Sequence, residues 1–252
     1  MRFLIKQILK TRYTIILAVF IYSCNPSVDS INITPENYHA SVDMVSEIMI
    51  HDIFSPPVAS RVFAYPNVAA YEILAQEDST FKSLSNTISS LQQIPKANKN
   101  KSINLKLAAL IAHMETSKML VFSEEKFTTV QDSLFKSWQK MNEKEFIASK
   151  NYALSVVKYI KNWMDKDNYS QTRTMEKFTV DAKDPARWQP TPPAYMEGIE
   201  PHWSKIRPFL LETADQFKPI PPPKFSLDKD SDFYKELLEV YTISEEITKE
   251  GD

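Results

Sequence analysis

Apolar residues recur at helical spacing over most of the chain between residues 34 and 168. The first such stretch begins after Thr34, a typical N-cap residue, with Pro35 at the first helical position. Ser55 and Ser123 are the expected N-caps of two further helices. One face of the first stretch should be buried, and it carries Tyr38, Val42, Val45 and Met49. The pattern predicts about five helices before residue 168.

Two features modify this helical pattern. Pro66 lies inside the second stretch, and we expect it to kink or divide that helix because proline removes a backbone hydrogen bond. Residues 103–122 are apolar on more than one side, which predicts a central helix surrounded by other elements.

The chain changes character at about Tyr169, and ten of its sixteen prolines lie between that residue and Asp232. Proline fixes φ and cannot donate a backbone hydrogen bond, so the segment KPIPPPKF should be extended polyproline II. Helical spacing then returns up to the C-terminus. The predicted fold class is therefore an all-α helical bundle, with helices in 34–168, a long proline-rich irregular strap in 169–230 and a final helix in 231–249.

Large aromatic side chains are frequent in this strap. We expect them to pin it to the helices, because aromatic rings bury apolar area without needing a regular backbone. The residues expected to do so are Trp188, Tyr195, Trp203, Phe209 and Phe217.

Composition excludes several function classes. The only glycines are Gly198 and Gly251, so neither a P-loop nor a dinucleotide-binding fingerprint can be written on this chain. The formal net charge of -2 gives no basic face for phosphates, so nucleic acid is not expected as a partner. The chain contains one cysteine, which cannot form an internal disulfide.

The first residues have the pattern of an export signal. Four basic residues and no acid precede an apolar run from Thr14 to Tyr22, which is shorter than a membrane span and typical of a signal peptide. The Ile-Tyr-Ser-Cys that follows resembles the lipobox of bacterial lipoproteins. This resemblance implies a signal peptide in 1–23, acylation of Cys24, a tether in 24–33 and lipid anchoring in the bacterial cell envelope. The alternative is an uncleaved membrane anchor with a chance cysteine.

Candidate chemistry is sparse. The four histidines have no zinc-ligand spacing, so no metal site is predicted, and no serine stands in a nucleophile motif. Arg61 and Tyr65 are one turn apart and form either a binding pair or a structural contact. The best candidates for anion contacts are His202, Lys205 and Arg207, because Arg and Lys suit oxyanions. The alternative is a solvated face.

Stretches such as HDIFSPPVASRVFAYPNVAAYEI and FLLETADQFKPIPPPKFSLDKDSDFYKELLEVY resemble the helical N-terminal half of bacterial vanadium-dependent haloperoxidase-like proteins, of the superfamily that includes type 2 phosphatidic acid phosphatases. The resemblance covers about residues 37–248. It implies an oxyanion pocket built from a Lys–six residues–Arg-Pro block, a Pro-Ser-Gly-His block and a Ser-Arg followed by a second histidine.

This chain departs from that pattern. Lys205 and Arg207 are separated by one residue, the residue seven before Arg207 is Glu200, and no Gly-His occurs. We therefore assign no catalytic residue and no cofactor to this chain, while the full-length family uses vanadate or none. The chain is expected to be an N-terminal portion that is inactive alone and whose partner is a missing C-terminal half or a second copy.

Two other functions compete with this interpretation. One is an envelope-anchored helical module that binds a partner through the strap. The other is an enzyme that uses His202, Lys205 and Arg207 in an unfamiliar way.

Overall fold

The computed structural model of the protein describes residues 29–98 and 100–250, and within them the regular structure is helical, without strands. The all-α prediction is confirmed. The helices are α1 (Pro35–His51), α2 (Pro56–Leu74), α3 (Leu105–Lys118), α4 (Glu124–Met141), α5 (Glu143–Met164), α6 (Tyr169–Thr172) and α7 (Asp232–Glu250), with 3-10 turns at Leu84–Asn86 and Trp203–Lys205.

The described chain divides into two compact units. Of the described residues, the first unit contains 29–54, 58–84, 93–98 and 100–161, and the second contains 55–57, 85–92 and 162–250. None of the described helices combines the length and apolarity needed to cross a membrane. Cys24 and the predicted signal peptide lie outside the described residues, so the lipoprotein interpretation stays a prediction.

Helix α3 forms the centre of the first unit. Its residues from Leu107 to Ala112 are buried on every side, as expected for a helix that is apolar all round. It packs against α1 and α4. The Asn104 side chain caps its N-terminus by accepting a hydrogen bond from the Leu107 N–H at 3.0 Å.

Helix α2 runs without interruption through Pro66, so this proline does not divide the helix, and the alternative expectation of a kink stays a prediction. Pro66 and the neighbouring Tyr65 and Ala69 are buried, and this burial holds the segment in helical form. The Asn67 amide also donates to the Phe63 carbonyl at 2.8 Å. Tertiary packing therefore overrides the local cost of the proline.

The N-terminus of α4 is not capped by its own residue. Ser123 occupies the N-cap position, but its hydroxyl makes no capping hydrogen bond and donates instead to Asp52 Oδ1 at 2.6 Å. The predicted capping role of Ser123 is therefore wrong. The carboxylate of Asp52, supplied from the end of α1, accepts from the N–H groups of Phe122 and Ser123 at 2.8 and 3.0 Å.

The strap of the second unit is less buried than its aromatic content predicted. Trp188, Tyr195 and Phe217 are exposed, so the expectation that they pin the strap is wrong for these three. Trp203 and Phe209 are half-buried and contact the rings of Tyr169 and Trp163 at centroid distances of 6.5 and 5.3 Å.

Hydrogen bonds and an ion pair stabilise the strap, in place of the three exposed aromatic rings. The carboxylate of Glu200 pairs with the Arg173 guanidinium, and the side chains of His202 and Arg207 bond to backbone carbonyls. Backbone groups in an irregular segment need such partners, because unpaired buried polar groups are costly.

Candidate functional site

Arg207 is directed at the C-terminal end of α5. Its backbone N–H donates to the Asp167 carbonyl at 2.9 Å, and its guanidinium donates to the Trp163 carbonyl at 3.0 Å. The guanidinium also lies over the indole of Trp163, 4.8 Å from the ring centroid. A cation beside the last carbonyls of a helix stabilises their exposed partial negative charge. The contacts around this residue therefore support a structural role.

His202 and Lys205 flank the 3-10 turn of the strap. The His202 imidazole lies 2.6 Å from the Glu176 carbonyl, and because a carbonyl only accepts, Nε2 carries the proton in this contact. The Lys205 carbonyl accepts from the Asn168 amide at 3.0 Å, while its side chain is exposed.

Two of the three predicted anion contacts, His202 and Arg207, bond to separate backbone carbonyls. An oxyanion pocket needs cations and N–H donors directed at the same position. Here the imidazole of His202 and the guanidinium of Arg207 bond to carbonyls of two different residues. The residues present therefore do not fit vanadate. Contact of these side chains with an anion stays a prediction.

The second unit also contains an open cleft of about 550 Å³ with a largely apolar lining. The rings of Phe178 and Trp188 meet edge to face at 5.7 Å, and the Cβ position of Gly198 would lie 3.4 Å from Phe178. A neighbouring cavity of about 410 Å³ shares part of this wall and contains the Arg173–Glu200 ion pair. The Arg173 guanidinium is already paired with the Glu200 carboxylate in this cavity.

A Ser–His pair lies in the first unit. His113 Nδ1 is 2.8 Å from the Ser41 hydroxyl, and the Tyr38 ring lies 4.9 Å from the imidazole. Burial lowers the pKa of His113 to about 4, so the imidazole is neutral at pH 7. Ser41 and His113 are both almost inaccessible to solvent, which excludes attack on an external substrate.

A second cluster has the residue types of a catalytic triad but not its geometry. It consists of His51, Asp52 and Ser123. The same imidazole nitrogen, His51 Nδ1, lies 3.2 Å from Asp52 Oδ1 and 3.3 Å from Ser123 Oγ. A triad uses the two ring nitrogens separately, one for the carboxylate and one for the hydroxyl. The serine donates directly to the carboxylate instead.

The surroundings of Asp52 explain its ionised state. Burial by itself raises the pKa of Asp52, but hydrogen bonds from the Ser123 hydroxyl and N–H, His51 and the Phe122 N–H outweigh burial and lower the pKa to about 2. Asp52 thus clamps the end of α1 to the start of α4. This clamp cannot be predicted from the sequence, because its partners lie about 70 residues away along the chain.

Arg61 and Tyr65 do touch, as their spacing predicted. The Arg61 guanidinium lies 5.0 Å from the centroid of the Tyr65 ring. Tyr65 is 1% exposed, which favours the structural contact over the binding pair. Among the described residues, no group of three or more His, Cys, Asp or Glu side chains could hold a metal ion.

Comparison with solved structures identifies a relative. The crystal structure of the first bacterial vanadium-dependent iodoperoxidase is 61% identical to this chain and superposes with a TM-score of 0.84. The match covers 89% of this chain and 54% of that chain, so this chain spans about half the length of the iodoperoxidase structure. No family model and no curated protein matches the sequence.

Proposed function

We propose, from the relationship of this chain to the vanadium-dependent haloperoxidases, that its 252 residues form the helical N-terminal part of a haloperoxidase-like protein and have no catalytic activity by themselves. The single observation that carries this proposal is the 61% identity with an iodoperoxidase over only 54% of that chain. At this sequence identity we expect the helices of the two proteins to adopt the same fold.

The inactivity follows from the side chains available for an oxyanion. Vanadate carries several negatively charged oxygens, so a binding pocket must supply several cations or N–H donors at one point. His202 and Arg207 are engaged with separate carbonyls, and the 252 residues contain no Gly-His. In this proposal the 252 residues therefore supply a helical scaffold and no catalytic groups.

Activity measurements on the purified chain test this proposal. We expect the chain not to oxidise iodide in the presence of vanadate and hydrogen peroxide, and not to hydrolyse phosphate monoesters. We also expect no broadening of the vanadium-51 resonance of vanadate when the chain is added. The related iodoperoxidase is the positive control. Turnover by the chain that disappears in His202→Ala, and persists in the control His39→Ala, would reject the proposal in favour of an enzyme using the strap.

Export and lipid anchoring are a second part of the proposed function. They are supported by the basic start, the short apolar run and the Ser-Cys junction before residue 25. Expressed in a bacterium, the protein should lose its first 23 residues and gain acyl mass at Cys24. Cys24→Ala should remain unacylated. Intact-mass analysis that finds Met1 retained on the wild-type protein would contradict lipidation.

A binding module is the alternative, and the open cleft next to Phe178 and Trp188 favours it. Such a cleft, apolar and rimmed by strap residues, is suited to a polypeptide or an aromatic ligand. This function would require a self-sufficient folded monomer, so thermal melting and dye binding of the purified chain distinguish the two proposals.

A further inference from the structure

A cavity of about 300 Å³ lies in the first unit, lined by residues from the start of α1, the end of α2 and the start of α3. This volume is at the lower end of the range for small-molecule sites, so its occupant would be a small molecule rather than a polypeptide. Neither the oxyanion candidates of the strap nor the clamp at Asp52 takes part in it.

The walls of this cavity are mainly apolar. Ala109 of α3 is buried, while Ile33 and Leu74 are half-buried beside the cavity. The Tyr38 hydroxyl donates to the Asn67 amide oxygen at 2.7 Å, so it already has a partner and the Tyr38 ring adds to the apolar wall. Such walls favour the hydrocarbon part of a ligand, because binding removes apolar area from water.

Lys106 brings a positive charge to this cavity. It lies in the first turn of α3, which contains no acid, and no Asp or Glu of the described chain lines the cavity with it. A cation at a helix N-terminus is disfavoured by the partial positive charge of the free N–H groups. The position of Lys106 is therefore not explained by its own helix, and its ammonium suits a negatively charged ligand.

Two acids share a neighbouring opening with Lys106, and within residues 29–98 and 100–250 neither forms an ion pair with it. They are Glu77 and Glu145. The Glu145 carboxylate accepts from the Ser30 hydroxyl and from the Ile31 N–H, both at 2.6 Å, so it is engaged elsewhere. The charge of Lys106 is therefore not neutralised by the described chain.

We propose that this cavity binds a small carboxylate with an apolar body, such as an aromatic acid. The body packs against Ile33, Leu74 and Ala109, and the carboxylate pairs with the Lys106 ammonium. His39 also lines the cavity and carries an N–H donor in either protonation state. A phosphate would need more donors directed at one position and would leave the apolar walls uncovered. This inference is independent of the proposed function, because it requires neither vanadate nor catalysis.

Ligand-observed nuclear magnetic resonance titrations of the purified 252-residue chain test this site. Benzoate and benzyl alcohol are the probes, since both carry one aromatic ring and only benzoate is charged. Benzoate should bind saturably and at least about threefold more tightly than benzyl alcohol, a modest ratio because the exposed Lys106 ammonium is partly screened by water. Inorganic phosphate, which lacks an apolar body, should not displace benzoate.

Variants separate the charge from the cavity. Lys106→Gln should reduce the affinity for benzoate to that for benzyl alcohol and leave benzyl alcohol binding unchanged. Lys101→Gln is the matched control, because it removes the same charge at an exposed position just before α3 and should leave both affinities unchanged. Ala109→Leu adds three carbon atoms to the cavity wall and should weaken both probes. If this variant loses helicity by circular dichroism, Leu74→Trp replaces it.

Five outcomes overturn the inference. They are no saturable binding of benzoate, equal affinities for benzoate and benzyl alcohol, displacement of benzoate by phosphate, equal weakening of benzoate binding by Lys101→Gln and Lys106→Gln, and unchanged binding by a folded cavity-filling variant. The second outcome would indicate a site for neutral apolar molecules, and the third an oxyanion site.

Discussion

At the scale of single residues, His113 is the clearest case of a side chain whose state is set by its surroundings. Its imidazole is buried in α3, bonded to the Ser41 hydroxyl and packed against the Tyr38 ring. Burial also raises the pKa of Tyr38 to about 12, so this neighbour does not titrate near neutrality. The cluster is therefore uncharged at pH 7, and its contribution depends on the imidazole staying neutral.

The depressed pKa of His113 predicts acid destabilisation of the first unit. The histidine takes up its proton near pH 6.5 when unfolded and near 4 when folded, so the unfolded state binds more protons between these values. The free energy of unfolding should consequently fall as the pH decreases from about 6.5 to 4, by at most about 3 kcal/mol. Urea denaturation of the wild-type chain and of His113→Gln at a series of pH values measures this change in the free energy of unfolding.

Glutamine cannot titrate, so His113→Gln should remove this part of the pH dependence. His39→Gln, at an exposed position of α1, should retain it. Identical pH dependence of the wild-type chain and His113→Gln would show that His113 is not the group responsible.

At the scale of elements, the start of α3 connects three segments through the side chain and the backbone of Asn104. The Asn104 oxygen caps the helix at the Leu107 N–H, and its Nδ2 donates to the Ile31 carbonyl at 2.7 Å. The backbone N–H of Asn104 in turn donates to the Ser149 hydroxyl of α5 at 2.9 Å. The Glu145 carboxylate accepts from the Ile31 N–H at 2.6 Å. This cap therefore joins residues that precede α1 to α3 and α5.

Removing the Asn104 side chain should destabilise the first unit by about 1–3 kcal/mol, because both the cap and the bond to the Ile31 carbonyl are lost. Asn104→Ala is compared with Asn104→Ser, which keeps a capping oxygen but lacks the Nδ2 donor, and should lie between Asn104→Ala and wild type. Chemical denaturation monitored by circular dichroism gives the three values.

Ser102→Ala is the matched control for the cap, since Ser102 is exposed two residues before it. It should change stability by less than about 0.5 kcal/mol. Equal stability of Asn104→Ala and Ser102→Ala would contradict the role of this cap.

At the scale of the whole molecule, exposed apolar side chains are concentrated in the second unit. Beyond α7 they include residues of the strap, with Phe217 77% and Ile220 90% exposed. Where exposed apolar side chains adjoin, as they do along α7, the resulting patch promotes association. Burial of apolar area contributes roughly 25 cal/mol per Å², so leaving several hundred Å² exposed removes a large share of a typical net stability of about 5–15 kcal/mol.

The chain by itself should therefore be strongly helical but weakly cooperative. We expect high helicity in the far-ultraviolet circular dichroism spectrum, binding of a dye that reports exposed apolar surface, and a broad thermal transition of a marginal monomer or a dimer. The complete iodoperoxidase provides the comparison. A sharp melt of a monomer that binds no dye would indicate a self-sufficient domain and would favour the binding-module function.

Sequence by itself determined the helical class, the position of the central helix around Leu110 and the relationship to haloperoxidase-like proteins. These inferences rest on signals that are local or ordered along the chain: apolar spacing, scarcity of glycine and the succession of proline-containing blocks. The missing Gly-His is equally a property of the sequence. Such features can be read from the sequence without knowing which segments pack together in the fold.

Only the tertiary structure decided the partners of polar and aromatic side chains. Ser41 contacts His113, which is 72 residues away along the chain. Asp52 holds the start of α4 in place of the predicted Ser123 cap. Arg207 bonds to the Trp163 carbonyl. The same holds for Trp188, which is exposed although its size favours burial. Helical periodicity arises from backbone geometry within a few residues, whereas a side chain's environment depends on which distant segments folding brings beside it.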